Sequence, residues 1–120
     1  CVIEAEVVAT DERDGIAELR FAGGMLYVPG KLRVGERRRI EILARDISLS
    51  LEAPHRTSIL NVLPARVEAV YDAESAQPVV KVDVGGTSLL ARVSRRSLRV
   101  LELREGVRVF VQVKAVAVIP

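Results

Sequence analysis

The 120-residue sequence predicts an all-β protein: two tandem, small five-stranded barrels, with one short helix in the second repeat. Three observations carry that prediction. The two halves align by pattern: Glu4-Ala5-Glu6-Val7-Val8-Ala9 matches Pro64-Ala65-Arg66-Val67-Glu68-Ala69, and Val34-Gly35-Glu36 matches Glu105-Gly106-Val107. An internal repeat of this kind decides the architecture before any single element does. Hydrophobic residues alternate with period two in Val79–Val84 and Val107–Val113, as half-buried strands require. Glycine pairs at Gly23-Gly24 and Gly85-Gly86 punctuate these runs, and glycine reaches the positive φ of tight hairpins at no steric cost.

In chain order, residues 1–53 form the first repeat, 54–60 a polar connector and motif loop, and 61–120 the second repeat. Each repeat reads as strand, polar turn, strand, Gly-Gly turn, strand, Gly turn, strand. The first ends in Ala44-Arg45-Asp46-Ile47-Ser48-Leu49, read as the end of a strand. After Pro64 a strand begins at Ala65-Arg66-Val67. The stretch Arg95–Leu103 breaks the alternation and reads as a short helix with Ser94 as its N-cap; the first repeat has no counterpart beyond Val28-Pro29-Gly30-Lys31-Leu32. Closing such short strands into barrels of the oligonucleotide/oligosaccharide-binding (OB) type removes their exposed edges. A barrel of about 55 residues is marginal alone, so the two halves are expected to share one core.

Composition narrows the function. Hydrophobic residues are 49% and charged residues 28% of the chain, which is globular rather than disordered. A net charge of +2 is too small to argue for nucleic acid, and 3% aromatics leave no stacking platform for single strands. A lone cysteine, Cys1, can make no internal disulfide and suits a reducing compartment. No signal peptide or membrane-length apolar run is visible. A chain opening at Cys rather than Met reads as a fragment or processed product. There is neither a phosphate-cradling Gly-x-x-x-x-Gly-Lys-Ser/Thr loop nor a Ser-His-Asp set, so no catalysis is expected of this chain.

The segment Thr57-Ser58-Ile59-Leu60-Asn61-Val62-Leu63-Pro64 places hydroxyl and amide groups just ahead of a strand. At the lip of a barrel these are donors suited to an oxyanion; Ser58 and Asn61 equally read as turn formers. Ser94 reads as a plain N-cap, Lys114 as a solvated strand residue, and His55 beside Pro54 as a surface residue without metal-ligand spacing. Arg37-Arg38-Arg39 and Arg92 with Arg95-Arg96 read as solvated charged faces or as contacts for an acidic partner surface.

Taken together, the repeat, the Ala44–Leu49 strand end, the Thr57–Pro64 motif and the Val113-Lys114-Ala115 ending resemble the tandem Mop, or TOBE-like, module. That module forms the C-terminal part of molybdate ABC transporter ATPases and is related to the molbindins. The resemblance covers essentially the whole chain. It implies molybdate or tungstate as ligand, with no tightly bound cofactor, held between OB-like units and often at subunit contacts. The family's Ser-x-Arg-Asn motif falls on Ser58, Ile59, Leu60 and Asn61, with Leu60 where Arg is usual. A Ser/Thr followed three positions on by Ser falls on Ser94 and Ser97, and a Lys with a small residue near the end falls on Lys114 and Ala115. In the first repeat Cys1 stands where Asn61 would and Leu43 where Lys114 would, which leaves that half only backbone donors.

The implied function is a regulatory, oxyanion-sensing module of the ATP-binding subunit of a molybdate importer. It would be cytoplasmic and held at the inner face of the membrane through the parent transporter. The implied partners are the oxyanion, a second copy in a homodimer, an ATPase domain upstream and membrane permease subunits, but no nucleic acid. A ligand-free structural dimerisation module and a free molybdate-storage molbindin are the alternatives.

Overall fold

The alternating segments become strands along the whole chain. The computed structural model describes every residue from Cys1 to Pro120. The strands are β1 (Val2–Asp11), β2 (Ile16–Phe21), β3 (Gly24–Pro29), β4 (Arg37–Glu41), β5 (Ile47–Ser50), β6 (Asn61–Tyr71), β7 (Val79–Val84), β8 (Thr87–Arg92), β9 (Arg108–Val113) and β10 (Ala117–Ile119), with one helix, α1 (Arg95–Val100), between β8 and β9. Burial follows the period-two pattern: Val80, Val82 and Val84 of β7 and Val109, Val111 and Val113 of β9 are all buried.

The repeat extends to the hydrogen bonding around the first strand of each half. β1 and β6 each carry a register shift at the same place, between Val7 and Ala9 and between Val67 and Ala69. The N–H groups of Gly35 and Gly106 donate to the carbonyls of Val7 and Val67, at 2.8 Å in both cases. A β-bulge of this kind bends a long strand so that it can serve both sides of a curled sheet.

Two five-stranded sheets result, ordered β10-β4-β1-β2-β3 and β5-β9-β6-β7-β8. Each sheet therefore takes its fifth strand from the other half of the sequence. β5 pairs antiparallel with β9, Ile47 opposite Val113, and β10 pairs with β4, Val118 opposite Ile40. The division of the sequence near residues 53–61 thus does not divide the strands in space. The crossovers are short and extended: Leu43 has φ −83 and ψ 140, a single helical turn at Ala44–Asp46 follows, and Ile47 is extended again. Ala44–Asp46, read from sequence as strand, is this turn. The backbone N–H of Lys114 donates to the carbonyl of Asp46 at 2.9 Å, so the two crossovers run side by side.

Twenty-two buried apolar residues from both halves form one continuous cluster, from Ile3 to Val113. The hairpin tips also meet. Gly85 and Gly86 form the β7–β8 turn at φ 55 and 96, as glycine requires. In the first half the turn is Ala22-Gly23, because Phe21 already pairs with Gly24. The sequence reading of Gly23-Gly24 as the turn is thus one residue late. Gly23 is instead needed for close approach: a Cβ there would strike the Val84 carbonyl and the Phe21 ring.

Candidate functional site

Asn61 opens β6, four residues earlier than the strand start read at Ala65, because its register with Val113 of β9 is already formed. It is the one buried polar side chain, 7% exposed. Its amide is matched to the backbone of a single residue: Oδ1 accepts from the Tyr27 N–H at 2.7 Å and Nδ2 donates to the Tyr27 carbonyl at 2.9 Å. Tyr27 lies on β3, the edge strand of the first sheet. Asn61 therefore covers part of an open edge and joins the two sheets, as a buried amide must find partners for both its ends. This leaves one amide hydrogen and lone pairs of Asn61 for any other role.

The register Asn61–Val113 also decides what stands beside Asn61. Lys114 and Ala115 continue directly from Val113, and Ser58, Ile59 and Leu60 lead directly into Asn61. The motif loop and the Lys-Ala ending therefore share one end of the second sheet, where Ser58, Leu60, Lys114 and Ala115 are all exposed and Ile59 is half-buried. Thr57 Oγ1 accepts from the Ile59 N–H at 3.1 Å and shapes the loop. The N–H groups of Ser58, Leu60 and Ala115 have no partner within the chain. Free N–H groups flanking the bonded Ile59, together with a hydroxyl and an ammonium, form the kind of donor set an oxyanion needs.

Ser94 and Ser97 lie elsewhere. Ser94 is the N-cap of α1 as expected: its Oγ accepts from the Ser97 N–H at 3.0 Å, and its own hydroxyl donates to Ser97 Oγ at 2.9 Å. The Ser97 hydroxyl hydrogen stays free to donate. These serines follow Arg92, which pairs with Val79, which in turn pairs with Tyr71 at the far end of β6. Ten residue steps of β6 separate Tyr71 from Asn61, roughly 33 Å of extended strand before bending. Within one chain the seven expected site residues thus fall into two groups: Ser58, Ile59, Asn61, Lys114 and Ala115 at one end, and Ser94 and Ser97 at the other.

The first half carries the corresponding geometry without the chemistry. The Cys1 backbone nitrogen donates to the Ile42 carbonyl and the Ile42 N–H to the Cys1 carbonyl, which sets Cys1 and Leu43 where Asn61 and Lys114 stand in the second half.

Two concavities carry opposite charge; the Arg95-Arg96 cluster of one was visible in the sequence, the acidic group of the other was not. One of about 560 Å³ is lined by Asp11, Glu12, Asp14, Glu18, Tyr27 and Leu60 among others; its carboxylates would repel a dianion. The other, about 440 Å³, is lined by Ala76, Ser94, Arg95, Arg96 and Arg99. Arg95 is steadied by donating to the Glu74 carbonyl at 2.8 Å. The acidic residues come from β1, β2 and their turn and are brought to Leu60 only by the packing of the two sheets.

Comparison with known proteins agrees with this architecture. Residues 57–120 match the family model of the TOBE domain. The chain is 45% identical to the molybdenum import ATP-binding protein ModC of Aromatoleum aromaticum, over 98% of this chain and 32% of that protein. It is 46% identical to ModC of Thiobacillus denitrificans, over 98% of this chain and 33% of that one. The chain thus spans about a third of the length of these relatives. Among solved structures it resembles the cytoplasmic molybdate-binding protein ModG with molybdate bound, at a TM-score of 0.84 and 22% identity, covering 100% of this chain and 96% of the other. That likeness is one of fold, and it identifies the two curled sheets as tandem OB-like units.

Proposed function

Because the chain belongs to the TOBE domain family, we propose that it is the oxyanion-binding regulatory module of a molybdate importer's ATP-binding subunit. The ligand is molybdate or tungstate, and the chain itself does no catalysis. The similarity to molybdenum import ATP-binding proteins across nearly the whole chain supports the reading. The observation that carries it is the Asn61–Val113 register, which sets Lys114 beside the Ser58–Leu60 loop and its free N–H groups.

A tetrahedral dianion presents acceptors in every direction. Ser58 Oγ and the N–H groups of Ser58, Leu60 and Ala115 donate from one side, and the Lys114 ammonium offsets charge. Asn61 holds the loop's end in place while its amide clasps Tyr27. Ser94 and Ser97 stand too far away to serve the same ion in the same chain, so the ion is enclosed where the Ser58–Lys114 end of one copy meets the Ser94–Ser97 end of a second. A twofold homodimer makes two such sites at once. Binding then favours the paired state of two modules, and that differential affinity is what lets the ion act on the parent transporter. The upstream ATPase domain, the permease partners and a position at the inner face of the membrane belong to the same proposal.

Titration calorimetry of the chain with molybdate, with sulfate as control, tests the reading. Micromolar or tighter molybdate binding is expected, with sulfate at least tenfold weaker. A folded chain that gives no heat at millimolar molybdate would refute it.

A further inference from the structure

The charge on the two concavities says how the copies meet. The acidic lip brings Asp11, Glu12, Asp14 and Glu18 around the exposed Leu60. Arg13 in the same turn lines neither this concavity nor the adjoining one. The basic concavity sets Arg95, Arg96 and Arg99 around Ser94, with no carboxylate in its lining. None of these seven charged side chains takes part in either ion pair of the chain, Arg38–Glu36 or Lys81–Glu68. Each concavity also contains one member of the divided site: Leu60 of the motif loop in the first, Ser94 of the serine pair in the second.

We propose that the acidic lip of one copy docks on the arginine face of α1 in a second copy, and that this charge pairing is the contact that assembles the divided site. The inference rests on the reading that the two groups of site residues meet across copies. If Leu60 of one chain approaches Ser94 of another, the acidic lip necessarily approaches Arg95, Arg96 and Arg99, and twofold symmetry repeats the contact. It also answers an electrostatic difficulty. Four carboxylates near the motif loop oppose a dianion there, and Leu60 supplies no guanidinium. Three arginines from the second copy offset most of that negative charge in the assembled state alone. Opposite patches of this kind steer association and exclude wrong partners, while like-charge contacts cost several kcal/mol.

The test uses two charge-reversed forms of the 120-residue chain, studied in oxyanion-free buffer by sedimentation equilibrium. One carries Glu12→Arg, Asp14→Arg and Glu18→Arg; the other carries Arg95→Glu, Arg96→Glu and Arg99→Glu. Asp11 is left in place because its carboxylate accepts the Arg13 and Asp14 N–H groups. The unaltered chain is expected to dimerise, more weakly as salt rises. Each variant alone faces like charge at both contacts, and its dimer dissociation constant rises about 100-fold or more. Mixed, the two variants match at both contacts and form heterodimers, which also establishes that both are folded. Dimers of either variant alone, a monomeric unaltered chain, or variants that stay monomeric on mixing would each overturn the proposal. Because no oxyanion is present, loss of the dimer contact is separable from loss of molybdate binding in calorimetry.

Discussion

Asn61 and Lys114 are neighbours at one end of the second sheet but do different work. Asn61 is buried, and both ends of its amide bond the backbone of Tyr27. Asn61→Ala strands that N–H and carbonyl beside a buried gap and is expected to cost about 2 kcal/mol, read as a lower urea midpoint. An unchanged midpoint would mean that water replaces the amide without loss. Lys114 is exposed and has only its backbone N–H engaged, with Asp46. Lys114→Ala is expected to leave the urea midpoint in place and weaken molybdate binding about 10- to 100-fold. Calorimetry showing unaltered affinity would move the site away from this end.

At the level of elements, the exchanged strands tie the halves together. β10 contributes Val118 opposite Ile40 and Ile119 opposite Arg39, and the Arg38 guanidinium donates to the Ile119 carbonyl. Ending the chain after Val116 removes this strand and exposes the β4 edge. A loss of about 2 kcal/mol is expected from the half-buried Val118 and Ile119, with both sheets still unfolding in one transition because they share a core. Two separate transitions in the intact chain would contradict the shared core. Most strands, the Gly85-Gly86 turn and α1 with its Ser94 cap were legible because local periodicity and capping dictate them, whereas the first hairpin turn and Ala44–Asp46 were misread. The destination of β5 and β10 was not, since a strand's own pattern is the same whether it completes its own sheet or its neighbour's.

For the whole molecule, an ion held between the Ser58–Lys114 end of one copy and the Ser94–Ser97 end of another, as proposed, would make ligand binding and association one equilibrium. Molybdate is expected to lower the dimer dissociation constant by the same factor by which dimerisation raises molybdate affinity. Sedimentation equilibrium with and without saturating molybdate measures it, and equal dissociation constants would exclude a shared site. The motif residues Ser58, Asn61, Ser94, Ser97, Lys114 and Ala115 could be named from the chain, but their separation could not, because only strand register converts sequence spacing into distance.

By itself the sequence determined the β architecture, the repeat, the helix and its cap, and the family resemblance that named the oxyanion. All of these reside in local pattern and residue type. Tertiary structure alone decided the exchange of β5 and β10, the clasp of Asn61 on Tyr27, the separation of Ser94 and Ser97 from Lys114, and the gathering of Asp11, Glu12, Asp14 and Glu18 around Leu60. These depend on contacts between residues distant in the chain, whose free energy comes from burial and pairing that no local stretch encodes.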